Sequence, residues 1–369
     1  MVVGHPESYF TLMNQDIPLL EFSCQRNSFD EPAFFELQWR SPLRPIGYRG
    51  LPSFLEKRRA PQQRKNIQKL MAQYGCEDME GFIRISHALS LNDTFWIREA
   101  NSLLRWKDVS PYTNRFSESI SHTAFDGSLG ETDLSTISPE FCTGGRYAKC
   151  WLRQGDRVYL YKRGSTRHKV EPLSEYLAAQ LASALCPDAV HYDLDYHRGE
   201  LICKCPLFTS ETVGYTNAGA IFPKYERTVP AVLQFFSEIG SDDTFRRMCI
   251  LDAVILNTDR HYGNFGVLFD TSTMEILRMA PVFDHNRSLL PELDIDQLTT
   301  PEQFLPLYRP VLGNDFILTA KGLLTDSIRR DLEQLRSFTF HPHPTIYIEQ
   351  KRLDALGKIV RNQIQRILM

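Results

Sequence analysis

Between residues 146 and 205 the chain alternates apolar runs with short polar turns. Runs of β-branched and aromatic residues flank the pair Gly155-Asp156 and again the turn at 197–199, which is typical of two β-hairpins. Between the hairpins, leucines recur at every fourth position, which indicates one face of an amphipathic helix. The pattern therefore predicts a small sheet lobe with the order strand, strand, helix, strand, strand, at residues 146–152, 158–161, 172–185, 189–196 and 200–205.

Residues 1 to about 120 show no regular period and are rich in aromatic residues and polar turns, so we expect irregular structure there. The exception is the segment 51–74, where apolar side chains at helical spacing predict one helix. We interpret its basic side chains as a solvated helix face, with a nucleic-acid patch as the alternative. These side chains are Lys57, Arg58, Arg59, Arg64, Lys65 and Lys69.

Helices dominate the pattern from residue 229 onward, and a hairpin at 265–283 interrupts them once. The apolar segment 245–256 predicts a buried helix, and a polar loop follows it. Asp252 interrupts the apolar run, so we expect it to have a buried hydrogen-bond partner and a structural role. We also expect a structural role for His261 in the loop.

Three polar residues stand around this hairpin. Because a hairpin returns its second strand beside the start of the first, Asp284 is expected close to Asn264 and Asp259. Phosphoryl transfer requires such a set, a carboxylate to orient a hydroxyl and an Asn and an Asp to hold Mg²⁺ on the phosphates. Asp259 and Asn264 also have the interval of the Asp and Asn in the protein-kinase catalytic loop. We therefore favour an ATP- and Mg²⁺-dependent kinase over an Asp-rich turn with a capping Asn.

A cation for the phosphates is expected upstream. Lys162 follows the strand 158–161, and Glu175 lies in the next helix, with Glu171 as the competing helix partner. Kinases pair a strand lysine with a helix glutamate to hold the α- and β-phosphates of ATP. The alternative for Lys162 is an exposed Lys-Arg pair at the end of a strand.

Two further segments fit nucleotide binding. Gly144 and Gly145 stand before the first strand of the lobe, and adjacent glycines let backbone N–H groups approach phosphate, although the segment is not a Walker A sequence. Leu207 and Phe208 follow the last strand and would form the hinge between lobes, where backbone groups meet adenine. A plain interdomain connection is the alternative for this hinge.

Composition narrows the classes of function. The 369 residues are 42% hydrophobic and 24% charged, which is typical of a globular protein. A net charge of −3 gives no global basic field for nucleic acid or an anionic membrane, so phosphate binding has to be local. We find no apolar run of about twenty residues, no secretory pattern and no CxxC pair among eight cysteines. We therefore expect a cytoplasmic protein with reduced thiols.

Specific segments resemble the HipA-like serine/threonine kinases. NTDRHYGNFGVLFD and APVFDHNRSLL are similar to the family's catalytic and metal-binding segments, and KCWLRQGDRVYLYKRGS and SEYLAAQLASAL to its lysine strand and helix. The resemblance implies an α+β, two-lobed protein-kinase-like fold. Its three regions would be an N-terminal accessory subdomain at 1–127, an ATP-binding sheet lobe at 128–208 and a helical catalytic lobe at 209–369.

The resemblance also implies roles for individual residues. By this resemblance, Asp259 would be the catalytic base, and Asn264 and Asp284 would be Mg²⁺ ligands. Lys162 would be the ATP-phosphate lysine, with Glu175 as its partner. The phosphate loop would include Gly144, Gly145 and Lys149. Family members are typically toxins or effectors that phosphorylate a protein serine or threonine, some of them held by a small antitoxin. We expect no direct nucleic-acid or membrane binding, and a location in the cytoplasm or, for a translocated effector, the host cytosol.

One position departs from the family pattern. The family's phosphate loop often contains a serine that is autophosphorylated, and Cys142, which has no hydroxyl, stands near that position. Either one of the neighbouring hydroxyl residues replaces that serine or this inactivation is missing. The candidates are Ser135, Thr136, Ser138 and Thr143.

Two other functions compete with a protein kinase. Phosphatidylinositol kinases have a similar D-R-H-x-x-N loop, so a lipid or small-molecule kinase is one alternative, although no cationic amphipathic anchor is present in the sequence. A pseudokinase that serves as an interaction module is the other. Retention of Lys162, Asp259, Asn264 and Asp284 speaks against it.

Overall fold

Backbone hydrogen bonds near the start of the chain build an antiparallel sheet. Its strands are β1 (Ser8–Asn14), β2 (Ile17–Arg26), β3 (Pro32–Trp39) and β4 (Phe95–Glu99), in the order β3-β2-β1-β4. The prediction of irregular structure for this region is therefore wrong. Consecutive buried residues and a bulge between Leu12 and Met13 break the period of two that would have marked the strands.

The computed structural model describes residues 7–62, 64, 66–128, 137–145, 147–165 and 169–369, so Lys65, Ser135, Thr136 and Arg146 lie outside the described part. The first of two compact units comprises Met1–Tyr161, Thr209–Thr216 and Phe269–Ile276. The second comprises Lys162–Phe208, Asn217–Leu268 and Leu277–Met369. The boundaries of these two units differ from those of the three predicted regions, 1–127, 128–208 and 209–369, and that division stays a prediction.

Five helices pack with the sheet in the first unit: α1 (Leu51–Arg58), α2 (Ile67–Tyr74), α3 (Met79–Ser86), α4 (Trp106–Val109) and α5 (Glu118–Asp126). The single helix predicted at 51–74 is thus two helices. Pro61 lies between them and lacks the N–H that a continuing helix requires. The sheet, α1, α2 and α3 share one apolar core, which includes Phe22, Leu55, Leu70 and Phe82.

Three arginines of this region are turned inward. Arg58 pairs with Asp93 at 2.7 Å and Arg64 pairs with Glu140 at 2.8 Å, and the Arg64 and Glu140 side chains are fully buried. Arg59 donates to two backbone carbonyls. The interpretation of these three arginines as part of a solvated helix face is therefore wrong. Their partners are 12 to 85 positions away in the sequence, so the local pattern could not reveal them.

The predicted order of strand, strand, helix, strand, strand is confirmed. It consists of β5 (Lys149–Gln154), β6 (Arg157–Arg163), α6 (Glu171–Leu185), β7 (Asp193–His197) and β8 (Glu200–Pro206). A 3₁₀ helix, Pro139–Cys142, precedes β5. Strands β7 and β8 pair antiparallel, and the turn between them has positive φ at both Arg198 and Gly199, as a tight hairpin turn requires.

The rest of the chain is mainly helical. The elements are β9 (Val213–Asn217), α7 (Ala218–Ile221), α8 (Val229–Glu238), α9 (Asp242–Ile255), β10 (Gly266–Asp270), β11 (Ile276–Met279), α10 (Ile295–Thr299), α11 (Phe316–Leu323), α12 (Asp326–Gln334) and α13 (Gln350–Leu368). Short 3₁₀ helices lie at Lys224–Glu226, Pro301–Gln303, Leu305–Leu307 and Leu335–Ser337. In the described part of the chain, no helix has both the length and the apolar character needed to cross a bilayer.

Candidate active site

Lys162, near the end of β6, lies at the centre of a buried group of charges in the second unit. Its Nζ is 2.9 Å from Oε1 of Glu175 on α6 and 2.9 Å from Oδ1 of Asp284. The competing acid, Glu171, accepts instead from the backbone N–H of Ser165 at 3.0 Å. Lys162 is therefore not an exposed strand-end lysine, and its helix partner is Glu175.

The charge of Lys162 is strongly stabilised. Burial by itself would lower the pKa of this ammonium group, because a low dielectric disfavours the charged form. The nearby carboxylates, Asp284 first and then Glu175, outweigh burial and raise the pKa of Lys162 well above its ordinary value. Lys162 therefore stays cationic and is suited to binding an anion such as phosphate.

The backbone of Asp284 adopts an unusual conformation. Its φ of 61° lies in the left-handed region, which costs a residue other than glycine about 1 kcal/mol. Its N–H donates to the hydroxyl of Tyr192 at 3.1 Å, and the next N–H, of His285, donates to Oε1 of Glu175 at 3.1 Å. The same Tyr192 hydroxyl accepts from Nζ of Lys162 at 3.5 Å. The groups that surround the lysine thus also hold the backbone of Asp284.

The polar loop after α9 is folded around its own backbone. Asn257 accepts from the N–H of Asp259 at 3.0 Å and donates its amide to Asp252 at 2.9 Å. The carbonyl of Asp259 accepts from the N–H of His261 at 2.7 Å and from the side-chain amide of Asn264 at 2.9 Å. The side chain of Asn264 therefore lies beside the backbone of Asp259.

Arg260 joins this loop to the segment that contains Asp284. Its Nε and Nη2 donate to the two carboxylate oxygens of Asp252 at 2.9 and 3.1 Å. Its Nη1 donates to the carbonyl of Asn264 at 2.9 Å and to the carbonyl of Phe283. Its Nη2 also lies 3.2 Å from Nδ1 of His285, which must be the acceptor because a guanidinium only donates. The buried partner expected for Asp252 is thus Arg260.

Aromatic packing fixes the loop on the helical core of the second unit. The ring of Tyr262 lies 5.3 Å from that of Phe265 and 6.2 Å from that of Phe222. Phe265 in turn lies 6.1 Å from Phe245, which is fully buried on α9. Centroid distances of this size are typical of favourable aromatic pairs. Tyr262, in the middle of the loop, therefore attaches the loop to the helical core.

The glycine segment belongs to the first unit. Gly145 has a φ of 88°, and a Cβ placed there would lie 2.2 Å from Nζ of Lys149, so the lysine side chain crosses the glycine backbone. Arg64 donates to the carbonyl of Thr143 at 3.1 Å and to that of Lys149 at 2.7 Å. One buried guanidinium therefore holds both ends of the segment that includes Gly144 and Gly145.

The described hydroxyl groups near Cys142 are both engaged. Ser138 accepts from the N–H of Glu140 at 3.3 Å, and Thr143 donates to the carbonyl of Pro139 at 2.7 Å. Cys142 itself is buried, and burial raises the pKa of its thiol to about 12.

The predicted hinge residues follow β8 in the second unit. Leu207 is partly buried, and the ring of Phe208 lies 5.5 Å from that of Phe283. Phe283 is the residue before Asp284, and its carbonyl is one of those held by Arg260. The predicted hinge segment therefore lies next to the segment that contains Asp284, within the second unit.

Asn264 and Asp284 carry side-chain oxygens of the kind that Mg²⁺ binds. In the described part of the chain, no group of three or more His, Cys, Asp or Glu side chains is arranged to hold a metal alone. Mg²⁺ on a nucleotide, however, requires only one or two protein oxygens beside phosphates and water. Because the Asn264 amide nitrogen donates to Asp259, its oxygen is the end that remains to serve as a ligand.

Sequence reasoning missed Tyr192 and the joining role of Arg260. For Arg260 a signal existed, since an acid within an apolar helix, Asp252, required a buried partner and a cation stood eight positions away. Tyr192 gave no comparable signal, because its partners Lys162 and Asp284 are 30 and 92 positions away.

Comparisons with known proteins agree with this fold. No family model and no curated protein matches the chain. HipA from Shewanella oneidensis MR-1, solved as a toxin–antitoxin system with HipB and its operator DNA, matches over 97% of both chains with a TM-score of 0.53 and 13% identity. The proinflammatory kinase CtkA from Helicobacter pylori matches over 60% of this chain and 91% of its own, with a TM-score of 0.45 and 16% identity. The match with HipA confirms the predicted α+β, HipA-like kinase fold.

Proposed function

We propose that this chain, which has the fold of HipA-like kinases, transfers the γ-phosphate of ATP to a serine or threonine hydroxyl of a protein. The observation that carries the proposal is the bonding of one buried cation, Lys162, to two carboxylates, Glu175 and Asp284. The first of these carboxylates, Glu175, is fully buried. The second, Asp284, is partly exposed and has a strained backbone, and such strain is typical of functional sites.

The proposal gives each predicted residue a task. Lys162, oriented by Glu175, binds the α- and β-phosphates, and Asp259 orients the acceptor hydroxyl. Asn264 and Asp284 would hold Mg²⁺, which supplies neutralisation of the phosphate charge when bound. The roles of Gly144, Gly145 and Lys149 in a phosphate loop, and of Leu207 and Phe208 in a hinge that contacts adenine, stay predictions.

The transfer step makes one bond and breaks one. The acceptor oxygen bonds to the γ-phosphorus while the bond from that phosphorus to the β–γ bridging oxygen breaks, and ADP leaves. The hydroxyl proton passes to the carboxylate of Asp259. Because little covalent chemistry is required of the protein, its residues act by positioning and by charge.

The test is phosphate transfer by wild type and by Asp259→Asn, with γ-labelled ATP and either protein or lipid acceptors. We expect Asp259→Asn to abolish transfer to protein and to keep ATP binding, measured by thermal shift with Mg²⁺. Asp156→Asn, in the exposed β5–β6 turn, is the matched control and should retain transfer. Full activity of Asp259→Asn would refute the base assignment. Transfer to lipid alone would favour the phosphatidylinositol-kinase alternative, and failure of wild type to bind ATP would favour an interaction module.

We extend the proposal to a bacterial toxin or effector that has a small antitoxin partner. Its support is the fold shared with HipA, which was solved together with HipB. Expression of wild type in bacterial cells should arrest growth, and expression of Asp259→Asn should not. Equal growth of the two would contradict a toxin role, and a phosphoproteome comparison of the two cultures would identify the target.

A further inference from the structure

Tyr192 stands immediately before β7 and connects two groups of the proposed site. Its side chain is buried, with 2% of the residue exposed. Its hydroxyl oxygen accepts from the Asp284 N–H at 3.1 Å and from Lys162 Nζ at 3.5 Å. The lysine nitrogen also lies 5.1 Å from the centre of the ring. The ring is packed edge-on against His285 at 6.2 Å.

Two buried side chains accept hydrogen bonds from consecutive backbone N–H groups, those of Asp284 and His285. Tyr192 accepts from the N–H of Asp284 and Glu175 accepts from the N–H of His285. A left-handed residue persists only when its surroundings over-determine the conformation. Two neighbouring N–H groups, each bound by a buried side chain from another segment, meet that requirement.

From this geometry we propose that Tyr192 is a positioning residue: its hydroxyl fixes the backbone of Asp284 so that the carboxylate is presented to Mg²⁺·ATP. The inference rests on the proposed function, in which Asp284 is a metal ligand. A phenylalanine ring would fill the same space and pack equally on His285. The hydroxyl accepts hydrogen bonds from the Asp284 N–H and from Lys162 Nζ, which both belong to the proposed site, and it also hydrogen-bonds the buried Cys205. Tyr192→Phe removes these contacts and leaves the ring in place.

The experiment compares Tyr192→Phe with wild type in the full chain. The matched control is Tyr112→Phe, which removes a hydroxyl that donates to the carbonyl of Leu91 at 3.0 Å within the first unit. The first readout is hydrogen–deuterium exchange of the peptide that contains Asp284, without nucleotide. The second is ATP binding as a function of Mg²⁺ concentration, together with ATP binding when Mg²⁺ is absent.

We expect Tyr192→Phe to speed exchange at Asp284 about five- to tenfold, the size expected for loss of one hydrogen bond. The Mg²⁺ concentration for half-maximal ATP binding should rise about five- to tenfold, while metal-free ATP binding changes less than about twofold. Tyr112→Phe should change none of these quantities.

Other outcomes separate the inference from the proposed function. Unchanged exchange at Asp284, or equal losses of ATP binding with and without Mg²⁺, would overturn the role of Tyr192 while kinase activity of wild type stands. If wild type itself bound no Mg²⁺·ATP, the proposed function would fail, and the positioning of a metal ligand by Tyr192 would fail with it.

Discussion

Lys162 and Asp284 lie 122 positions apart in the sequence, and Nζ of the lysine is 2.9 Å from a carboxylate oxygen of the aspartate. Ammonium groups and Mg²⁺ bind the same kind of oxygen, so a metal ligand at Asp284 has to share its carboxylate between the two cations. Glu175, which is fully buried, remains beside the lysine as a second partner. In the proposed function, Lys162 would keep Glu175 as its partner when Asp284 binds Mg²⁺, and each residue can be tested separately.

Asp284→Asn should weaken Mg²⁺·ATP binding by at least about tenfold, because the variant removes the charge. Asparagine tolerates the left-handed conformation, so the backbone is left in place. The measurement is the thermal shift produced by ATP with and without Mg²⁺. Asp195→Asn is the control, since Asp195 pairs with Lys204 at 2.7 Å on the β7–β8 hairpin. An unaltered Mg²⁺ requirement in Asp284→Asn would exclude Asp284 as a metal ligand.

Lys162→Met should abolish transfer and also destabilise the protein by about 3–5 kcal/mol, because it leaves the buried Glu175 carboxylate without its cation. Adding Glu175→Gln should recover at least about 1 kcal/mol of that loss, since the uncompensated charge is then removed. Chemical unfolding of the two single variants and the double variant measures this coupling. If the loss of stability in the double variant equalled the sum of the losses in the two single variants, the pair would contribute nothing to folding.

Arg64→Met should lower the free energy of unfolding by about 3–5 kcal/mol, because it leaves the fully buried Glu140 unpaired. The matched control is Arg40→Met, since Arg40 pairs with Glu21 at the surface, where an ion pair contributes less than about 1 kcal/mol. Urea unfolding of both variants provides the comparison. Equal losses for the two arginines would be inconsistent with the burial of the Arg64 pair.

Acid should destabilise the first unit in part through His87. Burial lowers the pKa of His87, and the contact of its Nδ1 with the Ile97 carbonyl at 3.2 Å offsets only part of that effect. Below the unfolded pKa, about 6.5, the unfolded state therefore binds the proton more readily, so stability is full above that pH and falls as pH decreases.

His87→Asn tests this direction, because asparagine also tolerates the left-handed φ of 51° at this position. Unfolding free energies measured from about pH 7 to pH 5 should fall less steeply in the variant than in wild type. His341→Asn, at an exposed side chain, should follow wild type. A variant curve parallel to that of wild type would show that His87 carries none of the acid sensitivity.

The parts of the fold that were predictable are those whose signals are local. The segments from β5 to β8 show short apolar runs around polar turns, and the pairing of Lys162 with Glu175 spans only 13 positions. The loop from Asp259 to Asn264 is similarly short, and Asp284 follows one hairpin later. These relations are local enough for spacing to suggest them, although spacing left Glu171 open as the partner of Lys162.

What could not be predicted depends on distant partners. The sequence predicted Arg58 and Arg64 at the surface because basic side chains are usually exposed. Their burial is favourable because Asp93, Glu140 and several backbone carbonyls accept from them. Tyr192 binds groups 30 and 92 positions away, and nothing in its neighbours indicates this. The first sheet was missed because its strands do not alternate strictly between buried and exposed residues.

The hold of Arg64 on the carbonyls of Thr143 and Lys149 makes the segment between them a small ring closed by a guanidinium. Both ends of this segment therefore depend on one side chain that lies far away in the sequence. A substitution at position 64 would release the two ends together.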